Sequence, residues 1–328
     1  MRGAFTKTIT ELAERDPRVL LLTADLGYMA LEPFSDKFPD RFFNVGVAEQ
    51  NMIGLATGLA EAGFIPFVYS IITFAGLRPY EFIRNGPVLH QSPVRIIGVG
   101  GGFEYGAAGS THHGLEDVGV MRIQPGLTVI APADHEQTRT AIEKTWDLPQ
   151  PIFFRLGKDD KTVVPGLNGR FELGRAQTIR EGGDILLITM GSVVTEAVAA
   201  ARILVDFGIS STIMVVASFN PAPVDDLAEA LSRFPAAMTV EAHYIVGGIG
   251  SLVSEVIAEQ GLACKIARCG VRVSPNGIVG SQSYMHQVHG LSGKSLVDTA
   301  RLLLGEAGEQ DISAPLSDVL LPSLDSGK

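Results

Sequence analysis

Sulfur, basic charge and long apolar runs are all scarce in this sequence. Cysteine occurs twice in 328 residues, as Cys264 and Cys269 within an apolar stretch. So few thiols exclude a disulfide scaffold and leave no thiolate metal set; two buried thiols of a reducing compartment are the favoured reading. Lys and Arg total 26 against 36 Asp and Glu, a net charge of -10. Without a basic stripe to neutralise phosphates, nucleic acid is not an expected partner, and the blander meaning of the acidity is solubility. No apolar run approaches the roughly 20 residues that cross a bilayer. The start, Met1-Arg2-Gly3-Ala4-Phe5-Thr6-Lys7, lacks the apolar core of a signal peptide, so no membrane role and a cytoplasmic location are expected. The full Walker pattern Gly-x4-Gly-Lys-Ser/Thr is missing: Gly293-Lys294-Ser295 has Val288 where its first glycine would fall. Gly98-Val99-Gly100-Gly101-Gly102 and Gly248-Ile249-Gly250 both lack the third glycine of the dinucleotide fingerprint, which excludes ATP and NAD sites on those loops.

What is present is a well-buried α/β pattern. The length suits two domains of about 150 residues. Hydrophobic residues make up 46%, glycine numbers 37 and mean hydropathy is +0.23, which argues against disorder. Residues 4–15 read as an amphipathic helix stopped near Asp16-Pro17. Strands are predicted at Val19–Thr23, Phe42–Val45, Phe64–Tyr69, Val94–Val99, Leu127–Ala131 and Ile152–Leu156, and helices at Glu49–Ala62, Thr73–Arg84 and Asp134–Trp146. The alternation breaks between 158 and 182, with turns at Val164-Pro165-Gly166 and Gly182-Gly183-Asp184. It resumes with strands at Ile185–Thr189, Ser211–Val216, Met238–Glu241 and Cys264–Arg268. The accompanying helices are Val194–Phe207, Asp225–Phe234, one opened by Gly247-Gly248 and running to Gln260, and Ser295–Leu304; the end looks frayed from Gly305. The expectation is two doubly wound α/β domains with mostly parallel sheets, 1–165 and 183–328, joined by a linker over 166–182.

Three features carry candidate chemistry. Asn44-Val45-Gly46-Val47-Ala48-Glu49-Gln50-Asn51 ends a strand and opens a helix with one carboxylate in its first turn. An acid there ordinarily complements the helix dipole. Gly46, which lets the backbone pass close to a ligand, and the lack of a basic partner point instead to a carboxylate that holds a proton against a ring nitrogen. Gly109-Ser110-Thr111-His112-His113-Gly114 carries adjacent histidines that diverge on any regular element, a poor mononuclear metal site. Proton transfer suits them, with a solvated loop of neutral imidazoles as an equal alternative. Phe67, Tyr69, Phe74 and Tyr80 read first as core, although Phe74, at a helix start near the sheet edge, is placed to stack on a flat ring. Asp25 follows the first strand at the carboxyl edge, where ligands bind in such folds.

Asn44–Asn51, Ser110-Thr111-His112-His113-Gly114, Ile130-Ala131-Pro132-Ala133-Asp134 and Glu241-Ala242-His243-Tyr244-Ile245-Val246-Gly247-Gly248 together resemble transketolase. The resemblance runs from about residue 4 to about residue 304, over that family's pyrimidine-binding and C-terminal domains, with the four segments in order and at similar spacing. It implies thiamine diphosphate with Mg2+ as cofactors. Glu49 matches the glutamate that bonds the pyrimidine N1′ and favours its imino tautomer. Phe74 resembles the aromatic that stacks on the pyrimidine, Tyr80 belongs to the same implied cofactor surface, and Asp25 resembles an acid near the cofactor at a subunit interface. His112 resembles the histidine that contacts substrate oxygens and assists proton transfer, with His113 beside it. Arg155, in Phe153-Phe154-Arg155-Leu156-Gly157, resembles an arginine that holds a sugar phosphate.

The family's diphosphate marker, Gly-Asp-Gly with a downstream Asn, is missing: Gly183-Asp184 is followed by Ile185. The resemblance therefore implies one half of a split transketolase. A separate N-terminal-type subunit would hold the diphosphate and Mg2+, and two copies of each chain would form an α2β2 assembly. The implied reaction moves a two-carbon ketol unit from a ketose to an aldose. Ala108 stands where the family usually has an aspartate that contacts a substrate hydroxyl, and Gly100 where it often has a phosphate-contacting histidine. Both departures point away from the usual pentose phosphates. The alternatives are a 1-deoxy-xylulose-5-phosphate synthase-like carboligase, a 2-oxo-acid dehydrogenase β subunit, or a non-catalytic partner, against which Glu49 argues. No catalytic group is expected in the second domain, and His286 and His289 are expected at a surface or interface.

Overall fold

The computed structural model describes residues 1–306. Its strands are β1 (Val19–Thr23), β2 (Phe42–Asn44), β3 (Ile65–Ile71), β4 (Arg95–Val99), β5 (Thr128–Ile130), β6 (Ile152–Leu156), β7 (Ala176–Arg180), β8 (Ile185–Thr189), β9 (Ser211–Val216), β10 (Ser218–Asn220), β11 (Ala236–Tyr244) and β12 (Lys265–Val271). They form a seven-stranded sheet, β10-β5-β6-β4-β3-β1-β2, and a five-stranded sheet, β12-β11-β8-β9-β7. Every pairing is parallel except β10 with β5 and β7 with β9. The chain is α/β with two mostly parallel sheets.

Local sequence explains the central strands. β1, β4, β6 and β8 are buried at all five positions, as strands covered on both faces must be. The edge strands β7 and β10 escape a reading for apolar runs. β7 is half-buried along its whole length and carries Gln177, Thr178 and Arg180, while β10 has three residues. Thus the stretch 166–182, expected as a linker, contributes an edge strand to the second sheet. Residues 218–220, from the second half of the chain, add one to the first.

The helix expected over Thr73–Arg84 is broken into Ile72–Gly76 and Tyr80–Ile83, with Pro79 at the second start. Proline has no N–H to continue the ladder, and the break leaves Leu77 and Arg78 between two short helices. The helix Glu49–Glu61 runs nearly as expected and is followed by Gly63 at φ 93, a left-handed exit that favours glycine. Asp134 caps the helix His135–Thr145. One carboxylate oxygen accepts from the Gln137 amide and the other from the Val164 amide, both at 2.8 Å.

From β1 the chain moves outward to β2, then returns to the other side of β1 as β3. The crevice at the carboxyl ends of β1 and β3 is therefore the topological switch point, the ordinary ligand position of an open α/β sheet. The second sheet docks against the first through the end of β11. The Tyr244 amide donates to the Leu115 carbonyl at 2.8 Å, and the Gly119 amide to His243 Nε2 at 3.2 Å. His286 is buried against Glu196 and His289 stacks on Phe103 at 4.9 Å, so both histidines pack internally rather than at a free surface. Cys264 and Cys269 are buried free thiols, and burial pushes Cys269 up to about 12. Among the described residues no helix is long and apolar enough to cross a membrane. The frayed end expected from Gly305, and the end of the expected second domain, lie from residue 307 outside the described residues.

Candidate active site

Four neighbouring strands deliver their following residues to one edge: β2 leads to Glu49, β1 to Asp25, β3 to Phe74 and β4 to the loop carrying His112. Glu49 is the first residue of its helix, and only 1% of it is exposed. A buried carboxylate needs partners, because desolvation is otherwise costly. It has them. Arg78 Nη1 donates to both carboxylate oxygens at 3.1 Å, and Ser70 Oγ lies 3.5 Å from Oε1. The sequence expectation that Glu49 has no basic partner is thus corrected. Arg78 comes from 29 residues further on, through the break before Pro79, and no local pattern around Glu49 announces it.

The Arg78 guanidinium also lies over the Phe74 ring, with Cζ 3.8 Å from the ring centroid. A planar cation is therefore held between an aromatic face and a carboxylate. Arg78 is the residue of this candidate site that the sequence reading missed. The available signal was its spacing of four from Phe74, which puts the pair on one face of a helical stretch. Phe74 meets His112 edge-on, at 5.0 Å and 68° between ring planes. Thr73 Oγ1 donates to the Thr111 carbonyl at 3.0 Å and ties the Phe74 helix to the histidine loop. Thr111 Oγ1 lies 2.9 Å from His112 Nδ1. Burial, then the charges of His113 and Arg78, hold the His112 pKa below its ordinary value, so its imidazole is neutral at neutral pH.

Asp25 is exposed and adopts φ 55, in the left-handed region. Asn44 holds it there: the Asp25 amide donates to Asn44 Oδ1 at 3.0 Å, and Asn44 Nδ2 donates to Asp25 Oδ1 at 2.9 Å. The same Asn44 oxygen accepts from the Gly46 amide at 3.0 Å, which joins the ends of β1 and β2 just before Glu49.

Three expected site residues are turned inward. The Arg155 side chain is 3% exposed and pairs with Asp117 at 2.8 Å; its Nη2 donates to the carbonyls of Gly114 and Ala242. A guanidinium surrounded in this way is an internal cross-link between the two sheets rather than a grip offered to a sugar phosphate. His113 is buried, with Nε2 3.1 Å from the Gly106 carbonyl and its ring edge-on to Phe103. Successive residues of the turn point in opposite directions, so only one of the two histidines faces the crevice. The Tyr80 hydroxyl donates to the Val120 carbonyl at 3.0 Å and accepts from Gln124, which braces its helix against Asp117–Arg122. At Gly100, a Cβ would meet the Tyr105 ring at 2.2 Å, so Tyr105 fills the space above that residue. Ala108 lies exposed on the turn Gly106–Ala108.

The arrangement suits a flat, nitrogen-bearing group: an aromatic face to stack on, a buried carboxylate to accept from it, and a neutral imidazole at the edge. Among the described residues no cluster of three acidic, histidine or cysteine side chains forms a metal site.

Comparison with known proteins points to one family. Residues 1–162 match the family described as transketolase, pyrimidine binding domain, and residues 174–294 the transketolase C-terminal domain. A putative transketolase C-terminal section from Methanocaldococcus jannaschii is 36% identical over 299 residues, covering 90% of this chain and 93% of the relative. One of the subunits of the apulose-4-phosphate transketolase of Phocaeicola vulgatus is 33% identical and is covered over 96% of its length, against 91% of this chain. A solved structure described as a split gene transketolase, inactive beta4 tetramer, superposes with a TM-score of 0.82 at 32% identity. It covers 93% of this chain and 97% of that one.

Proposed function

The chain belongs to the transketolase family, and from that premise we propose that it is the β-type subunit of a split thiamine diphosphate-dependent transketolase that moves a two-carbon ketol unit from a ketose to an aldose. The observation that carries this reading is the slot between Phe74 and Glu49. Its present filling is a flat cation that donates N–H to both Glu49 oxygens while stacked on Phe74. An aminopyrimidine has the same flatness and a ring nitrogen able to share a proton, so the slot fits the group the family uses. The cofactor, when bound, supplies the carbanion chemistry that an unassisted side chain lacks.

In this reading Glu49 holds a proton at the pyrimidine ring nitrogen, and its burial keeps that contact free of competing water. Phe74 fixes the ring plane. Asp25, set by Asn44, borders the crevice on the side of β2. His112, neutral at neutral pH, gives and takes a proton at a substrate oxygen. Arg155 acts only through packing. Substrate recognition then rests on His112 and on groups brought by another chain, consistent with Ala108 and Gly100 at the two departures. A sugar or sugar phosphate other than the usual pentose phosphates is the proposed substrate class.

The diphosphate and Mg2+ are assigned to a separate N-terminal-type subunit, as the missing Gly-Asp-Gly implies, with an α2β2 assembly in the cytoplasm. The relative that is one subunit of an apulose-4-phosphate transketolase, and the solved chain described as a split gene product, support this division. Glu49→Gln, assayed in the complex reconstituted with the partner subunit, is expected to remove ketol transfer. The carboxamide keeps the shape but cannot accept a proton. Near-normal turnover by that variant would refute the mechanism.

A further inference from the structure

The Arg78 side chain is 42% exposed, whereas that of Glu49, its ion-pair partner, is 2% exposed. The pair is thus asymmetric. Glu49 is fixed by its helix and by burial, while Arg78 reaches in from the solvent side. Its backbone lies in the gap between the helices Ile72–Gly76 and Tyr80–Ile83, outside either hydrogen-bonded element. A single nitrogen, Nη1, serves both carboxylate oxygens at 3.1 Å, whereas the strong Arg–carboxylate geometry uses two nitrogens in a fork. The remaining hold is the stack on Phe74 at 3.8 Å. Each feature describes a contact able to form and open without disturbing the core.

Resting on the reading of this slot as the pyrimidine site, we propose that Arg78 is a displaceable occupant of it. In this chain on its own the guanidinium fills the space between Phe74 and Glu49, and an incoming flat ring takes both surfaces only as Arg78 swings outward. Arg78 is then a gate that sets how readily this half of the site accepts its ring. The physical logic is competition for one carboxylate and one aromatic face. A guanidinium that keeps Glu49 paired avoids a buried, unpartnered charge until a ring nitrogen replaces it. The same contact lowers apparent affinity by the fraction of time the slot is open. An open fraction of roughly one in ten would make apparent affinity about tenfold weaker, equivalent to about 1.4 kcal/mol.

The test is an equilibrium titration of the purified chain with thiamine, which carries the pyrimidine without the diphosphate, followed by isothermal calorimetry. Arg78→Ala is expected to bind about tenfold more tightly than wild type. Arg78→Lys, which keeps the charge but loses the flat stack, is expected to fall between the two, and it answers the question if the alanine variant is unfolded by circular dichroism. Unchanged or weaker binding by a folded Arg78→Ala chain, or no binding at millimolar thiamine, would overturn the proposal. Glu49→Gln placed in the Arg78→Ala chain separates the two ideas. Loss of binding there with no gain from Arg78→Ala itself sinks the gate and leaves the slot. Full binding there sinks the pyrimidine reading.

Discussion

Breaking the Arg155–Asp117 pair is expected to destabilise the docking of the two sheets far more than it alters any substrate constant. Both side chains are almost wholly buried, at 3% and 1% exposure, and the ions lie 2.8 Å apart. Asp117→Asn keeps the volume but leaves the guanidinium without a counter-charge, a change that costs about 3–5 kcal/mol at buried pairs. At a urea slope of roughly 3 kcal/mol/M, the unfolding midpoint should fall by about 1–1.7 M. Arg155→Met should cost a similar amount, because it leaves Asp117 unpaired and removes one hydrogen bond each from the Gly114 carbonyl, which keeps the Gly102 amide, and the Ala242 carbonyl. Replacing both partners, as Arg155→Met with Asp117→Leu, removes the unpaired charge. The double variant should recover to within about 2 kcal/mol of wild type, the remainder being the two lost guanidinium hydrogen bonds at about 1 kcal/mol each. The assay is equilibrium urea unfolding followed by near-ultraviolet circular dichroism, with the slope checked for constancy. A midpoint shift below about 0.3 M for Asp117→Asn, or a double variant no better than the singles, would refute the reasoning. A raised KM confined to phosphorylated donors in a fully stable Arg155→Met complex would restore the phosphate role that the geometry denies.

Glu241 should make stability depend on pH. It is buried at the start of the helix Ile249–Glu259, accepts from the Ile249 and Gly250 amides, and burial raises it from 4.5 to about 7. The folded state thus keeps the proton to higher pH than the unfolded state. The group's contribution is complete below the ordinary glutamate value and is lost as pH rises through about 7. Glu241→Gln should flatten that fall in thermal midpoints measured from pH 4.5 to 8, and an unchanged slope would refute the assignment. His112→Ala in the reconstituted complex should lower kcat/KM by about 100-fold or more if His112 moves a proton at substrate, while thiamine binding to the chain stays within twofold. Equal losses in both would make His112 a support for Phe74 instead.

Much of the architecture was legible in the sequence because it is local. Buried central strands read as continuous apolar runs, and glycines at Gly63 and Gly208 mark helix ends where a left-handed residue is needed. The same locality exposed Glu49, since a strand end followed at once by a helix start puts the first-turn acid at the sheet edge. Edge strands β7 and β10 were hidden because half-buried or very short segments carry no apolar period. The helix break at Pro79 was readable in principle, and its consequence for Arg78 was not.

The sequence by itself determined the α/β class, the family, and the row of residues following β1 to β4, because period, punctuation and motif order are properties of neighbouring residues. Only the tertiary structure decided which side chains in that row face the crevice. Arg155 is a core cross-link, His113 turns inward beside an outward His112, and Glu49 is paired with an arginine 29 residues away. These outcomes depend on which distant atoms can satisfy a buried charge. The folded chain settles that by desolvation and hydrogen bonding between segments, and no local pattern encodes it.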